Sequence, residues 1–293
     1  MPKKFSWKQI VLHLILIAFC VFCVLPFVLL VAASLTDEKE IYLNGYSFIP
    51  QVISFDAYQF LWSSSEKFIR AYGITILITV VGTVGNLLLT ALLAYPMSRR
   101  DFPLKNALTF YVFFTMLFNG GLVPTYLLYT NIFDFKNTLI SLIVPILLMK
   151  GFFVILTRTF FTMSIPMPVI ESAYIDGASE FKIFWRIVLP LSLPVLATVG
   201  LFTSIDYWND WFNGLIFITD SKLYSVQNML NRMLLDIEFM KNNMDSLDNP
   251  IVKLPSSAMQ MTVAVVGVVP IIIVYPFFQK YFAKGLTIGA VKG

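Results

Sequence analysis

Few side chains in this sequence have the type and spacing that chemistry requires. The single histidine, His13, and both cysteines, Cys20 and Cys23, fall inside one uncharged apolar run, Gln9–Thr36, so neither a disulfide framework nor a metal centre is expected. No G-x-x-x-x-G-K-[ST] stretch offers backbone amides to a nucleotide phosphate. No Ser/His/Asp or paired-carboxylate set stands out either, and the chain is not expected to be an enzyme. Two groups of residues remain. One consists of polar side chains stranded among apolar ones: Lys150 in the run Asn137–Thr157, Asn86 and Thr90 within Ala71–Ser98, and Tyr207-Trp208-Asn209-Asp210 just beyond Ile187–Ile205. The other is the interval 164–190, where charged residues (Glu171, Asp176, Glu180, Lys182, Arg186) return between two apolar runs. These groups suit binding and recognition, not bond-making.

The elements that position them follow from composition. The chain has 293 residues, of which 58% are hydrophobic and 13% charged. Its mean hydropathy is +0.78. A soluble domain carries about 25% charged residues, so this chain is an integral membrane protein. A spanning helix needs roughly 20 mostly apolar residues. Six spans are predicted, at about 10–34, 71–96, 106–128, 138–160, 189–208 and 258–279, giving an all-α polytopic membrane fold. The first run follows Lys3, Lys4 and Lys8 in the manner of a secretory signal, but it exceeds the 7–15 apolar residues of a cleavable one and reads better as an uncleaved helix.

Charge sets the orientation. With both termini inside, the inner segments hold twelve basic residues and four acids (Asp101, Glu171, Asp176, Glu180), while the longer outer segments hold eight basic residues and thirteen acids. The positive-inside rule then places both termini in the cytoplasm. The net charge of +4 reflects these anchors and does not point to nucleic acid. No repeat or soluble domain is visible.

The longest inner connection carries two short helices by local rules. Pro168 suits a first turn, and Glu171 follows where an acid favours a helix N-terminus. Gly177 is placed to end that helix in a left-handed conformation, and Ser179 to cap the next. Ile170, Ala173, Tyr174 and Ile175 would leave a partly apolar face in water. That face can lie on the membrane surface or dock in a groove of a cytoplasmic protein.

Glu171-Ser172-Ala173, Asp176-Gly177-Ala178, Ile187, Leu189-Pro190 and Pro194 resemble the EAA loop of ABC importer permeases, with Ser172 in place of the usual first alanine. The stretch from Gln279 to Gly293 is similar to the tail of MalG-type sugar permeases. Gly120-Gly121-Leu122-Val123-Pro124-Thr125 and Trp208-Asn209-Asp210-Trp211 resemble the LplC/YtcP-like branch. The resemblance covers essentially the whole chain. It implies the type I ABC importer permease fold, divided as 1–70 (first span and outer loop), 71–280 (transmembrane core with coupling loop 164–190) and 281–293 (cytoplasmic tail).

It further implies a second, MalF-like permease subunit, two MalK-like ATPase subunits that hold ATP and Mg, and an extracytoplasmic solute-binding protein. No cofactor is implied in this chain itself. Glu171, Ala173, Asp176 and Gly177 would couple to the ATPase, with Glu171 meeting a basic residue and Ala173 allowing close approach of the backbones. The tail residues Gly285, Gly289 and Lys292 are either near that interface or a frayed end. The segment 220–257 is a candidate contact for the binding protein.

The implied cargo is an oligosaccharide. A charge at mid-span costs roughly 2.5–3.5 kcal/mol on insertion scales, so Lys150 should either pair with the companion subunit or with backbone carbonyls, or line the path of an acidic solute such as an alginate fragment. Asn86 lines the pore or packs helices together with Gly82 and Gly85. Tyr207, Trp208, Asn209 and Asp210 combine sugar-stacking rings with polar groups, or act as interfacial anchors. The alternative function is an ion-coupled secondary carrier, which would need buried acids for the coupling ion.

Overall fold

The computed structural model describes residues 7–63, 65–243 and 256–290. Among these residues the structure is helical, apart from turns and one isolated antiparallel bridge between Thr36 and Ile53. The chain forms two compact units, Met1–Glu66 with Leu230–Ile272, and Lys67–Met229 with Ile273–Gly293.

In the first unit, α1 (Trp7–Ser34) satisfies its backbone internally, and its apolar side chains stand exposed from Ile10 to Val31. That is the arrangement lipid demands. Only the last turn, Ala32, Ala33 and Ser34, is buried. Two short helices follow, α2 (Glu38–Asn44) and α3 (Asp56–Ser63). The Glu40 carboxylate accepts from the amides of Gln51 and Val52, at 2.8 and 2.6 Å, and so fixes the loop between them. The Glu38 carboxylate accepts from the amides of Ser257 and Ala258 at 2.9–3.1 Å. There it caps the start of the last helix, where a negative charge is favoured.

The second unit begins with most of α4 (Ser65–Ser98). Both α1 and α4 are long and apolar enough to cross a bilayer. The third, fourth and fifth expected spans are not continuous helices. The third is α5 (Lys105–Leu117) and α6 (Leu122–Leu127), the latter extended by a π-type turn to Ile132, with a bend of 116° between the two halves. Gly121 causes the break: it sits at φ +88°, and the Asn119 side chain accepts its amide at 2.9 Å.

The fourth expected span contains only α7 (Ile140–Ile143) before the chain leaves the helix. It resumes as α8 (Gly151–Ser164). Pro145 lacks the N–H that would continue α7, and Ile146 takes φ +67°, an outlying conformation for a β-branched residue.

The loop 164–190 forms α9 (Met167–Ile175) and α10 (Glu180–Ile183), and α10 passes through a π-type turn to α11 (Leu189–Leu191). The fifth expected span starts late, as α12 (Leu193–Trp208), because the backbone turns at Ser192 and changes direction by 77°. After α12 come α13 (Phe212–Phe217) and α14 (Val226–Asn243). The last helix, α15 (Ser256–Ala290), runs past its expected end near 279. Gly285 and Gly289 are therefore helical. Lys292 and the interval 244–255 of the expected binding-protein contact lie outside the described residues.

One apolar cluster organises the end of the second unit that carries α9 and α10. Ala91, Ala94 and Met97 of α4 meet Val112 of α5, Val154 and Phe161 of α8, and Ile170 and Ala173 of α9. Ile183, Phe184 and Val188 complete it.

Candidate functional site

The loop 164–190 folds as its local signals dictate. Pro168 lies in the first turn of α9, where a missing N–H costs nothing. Glu171 comes later than the first turn, one residue after the buried Ile170. The helix stops at Gly177, whose φ is +72°. Its amide donates to the Tyr174 carbonyl and the Ala178 amide to the Ala173 carbonyl, both at 2.9 Å, which is a Schellman closure. Ser179 then caps α10 by accepting the Lys182 amide.

The two faces of α9 differ in what they touch. Ile170 and Ala173 point into the chain's own apolar cluster and are 3% and 8% exposed. Ala173, expected at a partner interface, instead lets α9 approach its own membrane helices. Val169, Glu171, Ile175 and Asp176 are exposed, Ile175 at 87%. Among the described residues no group pairs with Glu171. The helix thus presents a free carboxylate and an apolar residue outward from a seated base.

The stranded polar residues converge on the break in the fourth span. Asn86, fully buried in α4, donates to the carbonyls of Leu147 and Leu148 at 3.1 and 3.0 Å, and accepts from Thr203 and Thr90. Tyr207, also fully buried, donates to the Ile143 carbonyl at 2.8 Å. Its ring lies against Gly82, where an added Cβ would come within 2.3 Å of it. Asn213 donates to the Pro145 carbonyl at 3.2 Å. Carbonyls freed by the loss of helix therefore meet side chains from three other elements, as backbone at membrane depth requires.

Lys150 is not at mid-helix. It stands at the N-terminal boundary of α8, and its ammonium lies 2.5 Å from the Asp206 carboxylate of α12. Each side chain of the pair keeps about a third of its surface, 30% and 35%. Trp208 packs a tilted ring 6.4 Å from Tyr72. Asn209 donates to the Ile205 carbonyl at 3.0 Å, capping α12. Asp210 accepts the Asn213 amide at 3.1 Å. Sequence reasoning missed Asp206 and Asn213. The signal for Asp206 was present: an acid two residues from the end of one span and a lone cation within another are natural partners. Asn213 gave none, because nothing announced an unpaired carbonyl at Pro145.

Residues 86–288 match the family described as binding-protein-dependent transport system inner membrane component. The chain is 39% identical over 270 residues to Protein LplC of Bacillus subtilis, covering 92% of this chain and 90% of that one. It is 36% identical over 278 residues to the polygalacturonan/rhamnogalacturonan transport system permease protein YtcP of the same organism, covering 95% and 96%. A solved chain described as part of a bacterial ABC transporter involved in the import of the acidic polysaccharide alginate superimposes with a TM-score of 0.79 at 26% identity. That match covers 96% of this chain and all of the other.

Proposed function

Because this chain belongs to the family of binding-protein-dependent transport system inner membrane components, we propose that it forms one half of a pore for ATP-driven uptake of oligosaccharides, acidic ones among them. It is an ABC importer permease and not an enzyme; ATP is hydrolysed in a separate subunit. Family membership sets aside the ion-coupled carrier. The general architecture supplies a partner permease, ATPase subunits and an external binding protein. Within it, the proposal assigns a MalF-like companion, a pair of MalK-like ATPases carrying ATP and Mg, and cytoplasmic termini.

The observation that carries the reading is α9. Its inner face is buried in the chain's own cluster and its outer face offers Glu171, Ile175 and Asp176. A carboxylate entering a cleft must be paired to offset desolvation, so the ATPase would supply a basic residue to Glu171. Gly177 turns the chain sharply behind the helix, returning any displacement of α9 to α10 and α12. Support for an acidic solute comes from the polygalacturonan named for one relative and the alginate named for the structural neighbour. Lys150 adds less to it, since Asp206 already neutralises its charge.

Pull-down of the ATPase from detergent extracts tests the coupling role. Glu171→Lys should insert normally yet recover at least tenfold less ATPase, a loss of about 1.4 kcal/mol. Undiminished recovery with undiminished uptake rejects it. For the solute, uptake of galacturonate and mannuronate oligomers is compared with that of maltotriose in cells carrying the complete importer. Preference for the neutral sugar rejects the acidic assignment.

A further inference from the structure

On the inner side of the second unit, four polar side chains from three elements form one chain of hydrogen bonds that neither local rules nor the family motif accounts for. Arg99, just past the end of α4, donates to the Tyr95 hydroxyl at 2.7 Å and lies over the Tyr95 ring, 4.6 Å from its centre. The Tyr95 hydroxyl donates to one oxygen of the Glu180 carboxylate, and the Tyr174 hydroxyl donates to the other. Tyr174 belongs to α9, Glu180 opens α10, and Tyr95 belongs to α4. The Tyr95 ring also packs 5.1 Å from Phe184.

The apolar cluster already joins the same elements, but apolar contact is non-directional. Hydrogen bonds to a carboxylate have fixed donors and geometry, and a polarised chain strengthens its members. We propose that Glu180 is a positioning residue that clamps the docking helix α9 to the inner end of α4, so that displacement of α9 by the ATPase reaches α4 in register. This rests on the reading of α9 as the ATPase contact. The bonds of the clamp run among this chain's own side chains, so ATPase recovery measured beside the labelling response separates its effect from docking.

The test uses the complete assembly with companion permease and ATPase subunits in lipid nanodiscs. Cys20 and Cys23 are replaced by Ser, and a single exposed thiol is placed by Arg100→Cys, next to the clamp at the end of α4. The rate of maleimide labelling is compared without nucleotide and with ATP plus vanadate. In the parent assembly, trapping should change the rate. Glu180→Ala should reduce that change about tenfold, within the usual range of site-to-site coupling, while ATPase recovery in pull-down stays at the parent level. Glu180→Gln, which still accepts one hydroxyl, should restore part of it. Tyr95→Phe with Tyr174→Phe should match Glu180→Ala, and adding Glu180→Ala should reduce the response no further, as expected of one network. If Glu180→Ala fails to insert, Tyr174→Phe alone, at a partly exposed position, must still lower the response. A full labelling response in the variants with the ATPase bound overturns the clamp and leaves the docking role standing. Failure of the parent assembly to hold the ATPase overturns both.

Discussion

The Lys150 ammonium and the Asp206 carboxylate, 56 residues apart in sequence, lie 2.5 Å from each other across the broken fourth span and α12. The pair removes a lone cation from apolar surroundings and pins the start of α8 to the C-terminal part of α12. It is neither fully buried nor fully exposed, so its worth lies between the small value of surface pairs and the large penalty of a stranded buried charge.

Lys150→Met should destabilise the protein by about 1–2 kcal/mol, less than the 3–5 kcal/mol of a fully buried broken pair. Asp206→Leu together with Lys150→Met should regain most of that loss. Thermal unfolding in detergent across the four members of the cycle gives the coupling. Additive losses mean that the two charges do not stabilise each other.

Asn86→Leu removes the donor to the Leu147 and Leu148 carbonyls and the acceptor for Thr90 and Thr203. Unsatisfied buried groups cost about 1–3 kcal/mol each, so this change should cost more than Lys150→Met does. Asn86→Asp keeps the acceptor alone and should be no better. The midpoint of thermal unfolding checks both, and a midpoint for Asn86→Leu equal to that of the parent contradicts the stitching of the break.

Gly177→Ala meets no atom within 4 Å, so only the backbone resists it. A φ of +72° costs an L-residue roughly 1–2 kcal/mol. Gly177→Asn should cost less, because asparagine tolerates this region better. Protease sensitivity of the inner loop in membrane vesicles should rank glycine below asparagine and asparagine below alanine.

Burial alone would raise the Glu180 carboxyl, but the Tyr174 and Tyr95 hydroxyls and the Arg99 charge hold it below the usual carboxylate value. A depressed carboxyl stabilises the fold above its unfolded pKa of about 4.3, and that contribution fades as pH falls through the lower folded value. The nucleotide-driven labelling response at Arg100→Cys should therefore be flat from pH 6 to 8. Glu180→Gln should give a lower response with the same flat profile. A parent response that titrates near neutral pH contradicts an ionised clamp.

How far the sequence reached depended on the range of the forces involved. Gly177 and Ser179 were legible because a left-handed glycine and a serine cap act within four residues of themselves. The inward turn of Ala173 was not, since alanine at that spacing serves equally well against a partner or against the chain's own α4. The break at 144–150 was hidden for a related reason. An apolar segment has the same composition whether its carbonyls bond to its own helix or to Asn86, Tyr207 and Asn213 from elsewhere.

The sequence by itself determined that the chain resides in a membrane, where its apolar runs lie, the asymmetry of its flanking charges, and the turn that ends α9. Each is set by transfer of nearby side chains from water or by backbone geometry over a few residues. Only the tertiary structure decided that Lys150 has Asp206 for a partner, that α9 sits with Ile170 and Ala173 inward, and that Glu180 gathers two tyrosines from separate elements. Those outcomes depend on which distant groups arrive together, because a polar group in an apolar medium takes the nearest complementary partner, and chain distance says little about which one that is.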